Sequence, residues 1–215
     1  MRTLTRETRD ALTPQMAIDV LRRGNERFVN NLKANRNLLQ QVNETSEGQH
    51  PLAIVLSCID SRTSAELIFD QGLGDIFSVR IAGNVLNDDI LGSMEFACKV
   101  AGAKAIVVLG HSRCGAVKGA CDGVQLGNLT GLLAKIADAV ALETETVGDR
   151  TAANPAFVAR VAELNVMLVQ RQIMERSPTL AAMVEASEIA VLGGMYDVES
   201  GAVEFYDAQM LIGAA

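Results

Sequence analysis

The chain has 215 residues, of which 49% are hydrophobic and 21% are charged, and its formal net charge is −7. This length and composition predict a single globular domain over residues 1–215 with a full hydrophobic core. The negative charge, the short apolar runs and the polar first ten residues argue against a nucleic-acid partner, a membrane span and a secretory signal, so we expect a cytoplasmic protein.

The first predicted element is an amphipathic helix over residues 14–35. Thr13 is suited to the N-cap and Pro14 to the first helical position. Apolar residues then recur from Ala17 to Leu32 at helical spacing. Residues 35–50 are polar and show no period, which predicts an irregular connection.

Five apolar runs rich in β-branched residues predict strands, at residues 53–56, 76–81, 105–109, 189–193 and 203–206. Helical patterns lie between them, at residues 65–69, 91–100, 114–120, 126–145 and 156–176. Alternating strands and helices predict an α/β fold with a mostly parallel sheet. A turn at residues 199–201 makes the last two strands hairpin-like, so we expect about four parallel strands plus one antiparallel edge strand, flanked by helices.

Reactive side chains follow two of these strands directly. Cys58, Asp60 and Arg62 come after the first strand, and His111 and Cys114 come after the third. Because ligands of open α/β sheets bind at the carboxyl ends of the strands, we expect all five side chains to meet at one edge of the sheet.

Three of these side chains have the chemistry of metal ligands. Two thiolates and an imidazole suit zinc, and three protein ligands leave a fourth position open for water. The His111-x-x-Cys114 spacing fits a strand-end loop that enters a helix, whose N-terminus favours a thiolate at Cys114. The sequence therefore predicts a catalytic zinc site formed by Cys58, His111 and Cys114.

Asp60 and Arg62 lie two residues apart, and a carboxylate held by an arginine stays ionised at neutral pH. Beside a metal, Asp60 has two alternatives. It is either the fourth ligand, which closes the site, or it pairs with Arg62 and accepts a hydrogen bond from metal-bound water.

The motifs around these residues resemble those of the β-class carbonic anhydrases. The resemblance is carried by PLAIVLSCIDSR at 51–62, ELIFDQGLGDIF at 66–77, RIAGN at 80–84 and VVLGHSRCGAVK at 107–118. It extends to LRRGNERF at 21–28, GMYD at 194–197 and GAVE at 201–204. The distinctive motifs follow one another in the family's order and cover most of the chain.

The resemblance implies a role for each matching residue. Cys58, His111 and Cys114 match the three zinc ligands, and Asp60 and Arg62 match the family's Asp–Arg dyad.

Three further positions match groups that face the substrate. Gly115 matches a glycine whose backbone lies against the substrate pocket. Gln49 and Phe77 match substrate-binding residues of the plant-like, constitutively open subgroup.

Two positions depart from the family patterns. Phe96 stands where the open subgroup usually has a tyrosine, so the hydrogen bond of that hydroxyl is lost. Val55 stands where the bicarbonate-regulated subgroup has a tryptophan, and the chain contains no tryptophan. Closure driven by bicarbonate through that residue is therefore not expected.

The implied activity is zinc-dependent, reversible hydration of carbon dioxide to bicarbonate and a proton through zinc-bound hydroxide. Hydrolysis of carbonyl sulfide or carbon disulfide on the same fold is the alternative, and a redox or structural zinc protein is a second one. The resemblance also implies a homodimer or homotetramer, in which residues 1–45 form a helical arm for dimerisation. In such a dimer, Gln49 or Phe77 is a candidate for the neighbouring subunit's site.

Overall fold

The computed structural model describes residues 2–213, and a five-stranded sheet lies at its centre. The strands are β1 (Ala53–Ser57), β2 (Ile76–Arg80), β3 (Ala105–His111), β4 (Ala190–Tyr196) and β5 (Val203–Phe205). Their order is β2-β1-β3-β4-β5; the first four are parallel, and β5 pairs with β4 in the antiparallel direction. The predicted α/β fold with one antiparallel edge strand is confirmed.

The helices cover both faces of this sheet. They are α1 (Arg6–Asp10), α2 (Pro14–Val29), α3 (Leu38–Glu44), α4 (Ala65–Ile68), α5 (Asp88–Glu95), α6 (Gly115–Cys121), α7 (Gly127–Leu133), α8 (Ala137–Leu142), α9 (Pro155–Arg176) and α10 (Pro178–Glu185). Helices α5, α9 and α10 contribute to the apolar core on one face, and α2 and α4 to the core on the other. Strands β1 and β3 are buried along their whole length, as central parallel strands covered on both faces should be.

A third apolar cluster lies at the carboxyl edge of the sheet. It combines Cys58 and Cys114 with side chains of α6, α7, α8 and α9, among them the fully buried Phe157, and with Ile136 between α7 and α8. The side chains predicted to bind metal are thus built into a packed core.

The N-terminal arm differs from the sequence prediction. Helix α2 ends at Val29, because Asn31 adopts a left-handed conformation at φ 55° and the Asn31 and Leu32 amides bond back to Phe28 and Arg27 in a Schellman motif. The predicted continuation of this helix to residue 35 is wrong. The connection predicted as irregular contains α3, whose N-cap Asn37 accepts a hydrogen bond from the Gln40 amide.

The single helix predicted over residues 126–145 is also wrong, since α7 and α8 are separate. Between them the backbone bonds shorten to a three-residue reach, as in Lys135 N–H to Leu132 O and Ile136 N–H to Leu133 O. The break turns the fully buried Ile136 toward the Gly83 turn. No helix among residues 2–213 has the length and apolarity needed to cross a membrane.

Candidate metal centre

The carboxyl ends of β1 and β3 bring three potential metal ligands together. The two strands are parallel neighbours, with Ser57 opposite Leu109. Cys58 follows β1, His111 ends β3, and Cys114 precedes the first residue of α6. One ligand atom from each residue lies within 4.8 Å of the other two, and all three residues are buried. The structure thus brings Cys58, His111 and Cys114 together as the sequence predicts.

The ring of His111 is oriented for metal binding. Its Nδ1 lies 2.9 Å from the Ser112 carbonyl oxygen, which only accepts, so Nδ1 carries the proton. That tautomer leaves a lone pair on Nε2, a buried atom with no hydrogen-bond partner among the described residues. A buried acceptor without a partner is costly, whereas a metal ligand normally has its second ring nitrogen fixed in this way. The imidazole therefore fits a metal ion.

The two thiols differ in acidity. A hydrogen bond from the Cys114 thiol lowers the pKa of Cys58, and the Gly83 amide, which donates to the Cys58 sulfur at 3.3 Å, lowers it further. The same hydrogen bond, burial and the charge on Cys58 raise the pKa of Cys114. The Cys58 thiol is therefore the more acidic of the two. A soft divalent cation such as zinc fits this donor set.

Asp60 is held by Arg62 through two side-chain hydrogen bonds. Arg62 Nε donates to Asp60 Oδ1 at 2.9 Å and Nη2 donates to Oδ2 at 2.7 Å, while the Arg62 backbone amide donates to Oδ1 at 3.0 Å. These bonds lower the pKa of Asp60 well below its ordinary value. Of the two alternatives considered for Asp60, the structure contains the ion pair.

The family comparison agrees with this geometry. A family model described as carbonic anhydrase matches residues 53–203, more than half of the chain and all of its strands except the end of β5. This chain belongs to the carbonic anhydrase family.

Individual carbonic anhydrases match over most of their length. Carbonic anhydrase 2 of Mycobacterium tuberculosis is 36% identical over 199 residues, which covers 87% of this chain and 90% of that protein. The carbonic anhydrase of Mycolicibacterium smegmatis is 36% identical over 197 residues, covering 89% and 92%.

Solved structures place the chain in the β-class. The β-carbonic anhydrase CafA of Aspergillus fumigatus matches with a TM-score of 0.69 at 31% identity, over 79% of this chain and 82% of that chain. One of two tetrameric β-carbonic anhydrases from Sordaria macrospora matches with a TM-score of 0.69 at 26% identity, over 77% and 85%. The predictions of a β-class carbonic anhydrase and of an enzyme of this lyase class are confirmed.

Gln49 and Phe77 lie apart from the candidate metal ligands of this carbonic anhydrase, Cys58, His111 and Cys114. Gln49 is exposed in the loop that leads to the amino end of β1, whereas Cys58 follows the carboxyl end of that strand. Phe77 pairs with Ile54 near the amino end of β2, and its ring meets Phe96 edge-on at 6.2 Å. One chain therefore does not bring either residue to the metal cluster, and their substrate-binding roles stay predictions.

Gly115 lies next to the cluster, as the first residue of α6 directly after Cys114. It is exposed, and apart from its chain neighbours and the backbone of its own helix, no atom of residues 2–213 lies within 4 Å of where a side-chain Cβ would stand. The backbone of Gly115 thus borders open space beside the candidate metal ligand Cys114. This position is compatible with the prediction that Gly115 lies at a substrate pocket. Phe96, by contrast, is 54% exposed and lies with Phe77 in a groove of about 710 Å³ along β2.

Sequence reasoning missed the side chains that hold the loop after β1, which contains Cys58 and Asp60. Arg80 Nε donates to the Cys58 carbonyl oxygen at 3.0 Å, and its Nη2 donates to the Asp60 carbonyl oxygen at 2.6 Å. The Thr63 hydroxyl donates to the same Cys58 carbonyl at 3.0 Å. Arg80 stands in the quoted RIAGN motif, so a signal was present, but a side chain that bonds to backbone carbonyls 20 residues away leaves no spacing pattern.

Proposed function

We propose that this carbonic anhydrase binds zinc and catalyses the reversible hydration of carbon dioxide to bicarbonate and a proton. The observation that carries the proposal is the buried Cys58–His111–Cys114 cluster, in which the lone pair on His111 Nε2 has no partner among the described residues. Beside the cluster, Asp60 is paired with Arg62. Family membership indicates the reaction, and the sulfur–nitrogen donor set favours zinc over harder metals.

The chain's own residues prepare the site for this reaction. Cys58, Cys114 and His111 Nε2 would hold the metal, which when bound supplies a Lewis acid that lowers the pKa of a water toward about 7. Because Arg62 engages Asp60, this carboxylate would leave room for a water at the metal. The ionised Asp60 would accept a hydrogen bond from that water and so would hold it in position to react with carbon dioxide. Two thiolates neutralise the charge of the metal, so we expect activity to rise toward alkaline pH.

The substrate side of the site is proposed to need a second subunit. Gln49 would bind a substrate oxygen, Phe77 would keep the carbon dioxide side apolar, and Gly115 would border the pocket from the chain that supplies the metal ligands. We infer that the enzyme belongs to the open subgroup and forms a homodimer or homotetramer. Each chain would be one domain of residues 1–215, and its N-terminal arm, residues 1–45, would pack on the partner. The exposed Leu38, Leu39 and Val42 of α3 support this role of the arm.

The experiment measures zinc content and carbon dioxide hydration in the same preparation, with Cys58→Ser as the test variant. The matched control is Cys121→Ser, a half-buried cysteine outside the cluster. We expect the wild type and the control to carry one zinc per chain and to be active, and Cys58→Ser to lose both. A zinc-loaded wild type that does not hydrate carbon dioxide contradicts the proposal, as does a higher kcat/KM for carbonyl sulfide in a parallel assay.

A further inference from the structure

Helix α9 carries a buried amide that its apolar surroundings do not explain. Ten residues of this helix are buried, and all are apolar except Asn165 and Gln170. Asn165 is only 1% exposed and lies among the α9 positions that form the third apolar cluster. Burying an amide is unfavourable unless it forms hydrogen bonds, so a residue of this kind in such a place indicates a specific partner.

The partner of Asn165 is the turn over Ala82–Asn84. Asn165 Nδ2 donates to the Gly83 carbonyl oxygen at 2.9 Å, across 82 residues of sequence. Since a carbonyl oxygen only accepts, the nitrogen of the Asn165 amide must face it. This bond fixes one side of the Gly83 residue to the long helix.

The other side of Gly83 bonds to a predicted metal ligand. The Gly83 amide donates to Cys58 Sγ at 3.3 Å, so Gly83 connects Asn165 to the Cys58 sulfur through its two backbone groups. Gly83 is required here, because its φ is +69° and a Cβ would stand 2.6 Å from Ile136 Cδ1. The next residue, Asn84, is also left-handed, at φ 44°. Two successive left-handed residues are unfavourable, so the turn depends on bonds from outside it.

We propose that Asn165 is a positioning residue of the metal site, which keeps the Gly83 amide directed at the Cys58 sulfur. The inference rests on the proposed function only in that a metal occupies the cluster. An amide hydrogen bond withdraws electron density from a thiolate and fixes its direction, and partners of this kind typically change metal affinity by about 10- to 100-fold. Asn165 touches neither substrate nor metal in this role.

The test replaces the donor and compares it with the other buried amide of the same helix. Asn165→Leu and Asn165→Ala remove the bond to Gly83, one with a similar volume and one with a smaller side chain. Gln170→Leu and Gln170→Ala are the matched controls, because Gln170 is 3% exposed and bonds only weakly, at 3.3 Å, to the Gln209 carbonyl oxygen. Two readouts are used, neither of which is activity: the rate of zinc release to a chelator, and scalar coupling between ¹¹³Cd and the Gly83 amide proton in cadmium-loaded protein.

We expect the wild type to give a ¹¹³Cd–Gly83 cross-peak, and both Asn165 variants to lose it and to release zinc about tenfold faster or more. The Gln170 variants should keep the cross-peak and the wild-type release rate. Absence of the cross-peak in cadmium-loaded wild type overturns the proposal without any variant having to fold. Equal release rates in the Asn165 and Gln170 variants overturn it as well. A wild type that binds no metal instead refutes the proposed function, so the two failures are distinguishable.

Discussion

The two ends of strand β1 differ in how much of the proposed site a single chain supplies. At the carboxyl end, Cys58 meets its companion ligands, and the backbone of Cys58 and Asp60 is fixed by Arg80. At the amino end, Gln49 is exposed and is not near the Cys58–His111–Cys114 cluster. On our proposal, metal binding is therefore a property of the folded chain, whereas substrate binding is a property of the assembly.

The largest expected effect comes from the carboxyl end, at Asp60. Asp60→Asn removes the ionised acceptor and weakens the pairing with Arg62, so we expect kcat to fall about 100-fold or more. Zinc content should stay at the wild-type level, because the ligand cluster does not include Asp60. Stopped-flow hydration and metal analysis check both numbers. A variant with full activity would show that Asp60 takes no part in the reaction.

The next effect separates the two ends of the strand. Gln49→Ala should lower kcat/KM about tenfold through loss of one polar contact and leave zinc binding intact. Mixing it with Asp60→Asn after subunit exchange should raise activity toward about a quarter of wild type, since half of the dimers then contain one intact shared site. The same mixture made without exchange is the control. No recovery after exchange would place both residues in the site of one chain.

A smaller, pH-dependent effect concerns the ion pair. The Arg62 hydrogen bonds lower the pKa of Asp60. The ion pair therefore contributes to folding stability above the ordinary carboxyl pKa of about 4, and this contribution is lost as the pH falls through the lowered pKa. The ¹³C shift of the Asp60 carboxyl should thus stay that of the ionised form down to about pH 3, where an ordinary aspartate is mostly protonated. In Arg62→Gln the titration should move up toward about pH 4. A wild-type midpoint at about pH 4 or above contradicts the pairing.

The smallest effect is expected at the groove along β2. Phe96→Tyr restores the hydroxyl found in the open subgroup, but the ring is 54% exposed, so water can satisfy the new group. We expect kcat/KM to change by less than about twofold and the melting temperature to stay within about 2 °C. A tenfold gain would show instead that this ring faces substrate in the assembled enzyme.

The sequence was sufficient for the sheet and the metal cluster because both depend on local patterns. β1 and β3 are continuous apolar runs, and the ligands follow them directly. Helix α10 was missed although its signal is local, with Ser177 as N-cap and Pro178 at the first helical position.

Other features depend on contacts that no local pattern contains. The end of α2 rests on one left-handed asparagine, Asn31, inside a pattern that remains amphipathic. The bond from Asn165 to Gly83 joins residues 82 positions apart, and the paired carboxyl of Asp60 was one of two arrangements that the spacing allowed. Long-range hydrogen bonds and the choice between rotamers were thus beyond sequence reasoning.

The two hydrogen bonds from Arg80 restrict the motion of the loop that contains Cys58 and Asp60. Because the Arg80 guanidinium binds the carbonyl oxygens of both Cys58 and Asp60, this loop cannot swing as a body without breaking those bonds. Exchange of the Asp60 carboxylate between Arg62 and the metal would then be a rotation about side-chain bonds alone. Asp60 is only partly exposed and accepts three hydrogen bonds from Arg62, so this rotation requires those bonds to break first. The position of Asp60 would then depend on how readily its pairing with Arg62 opens, and not on a movement of the loop.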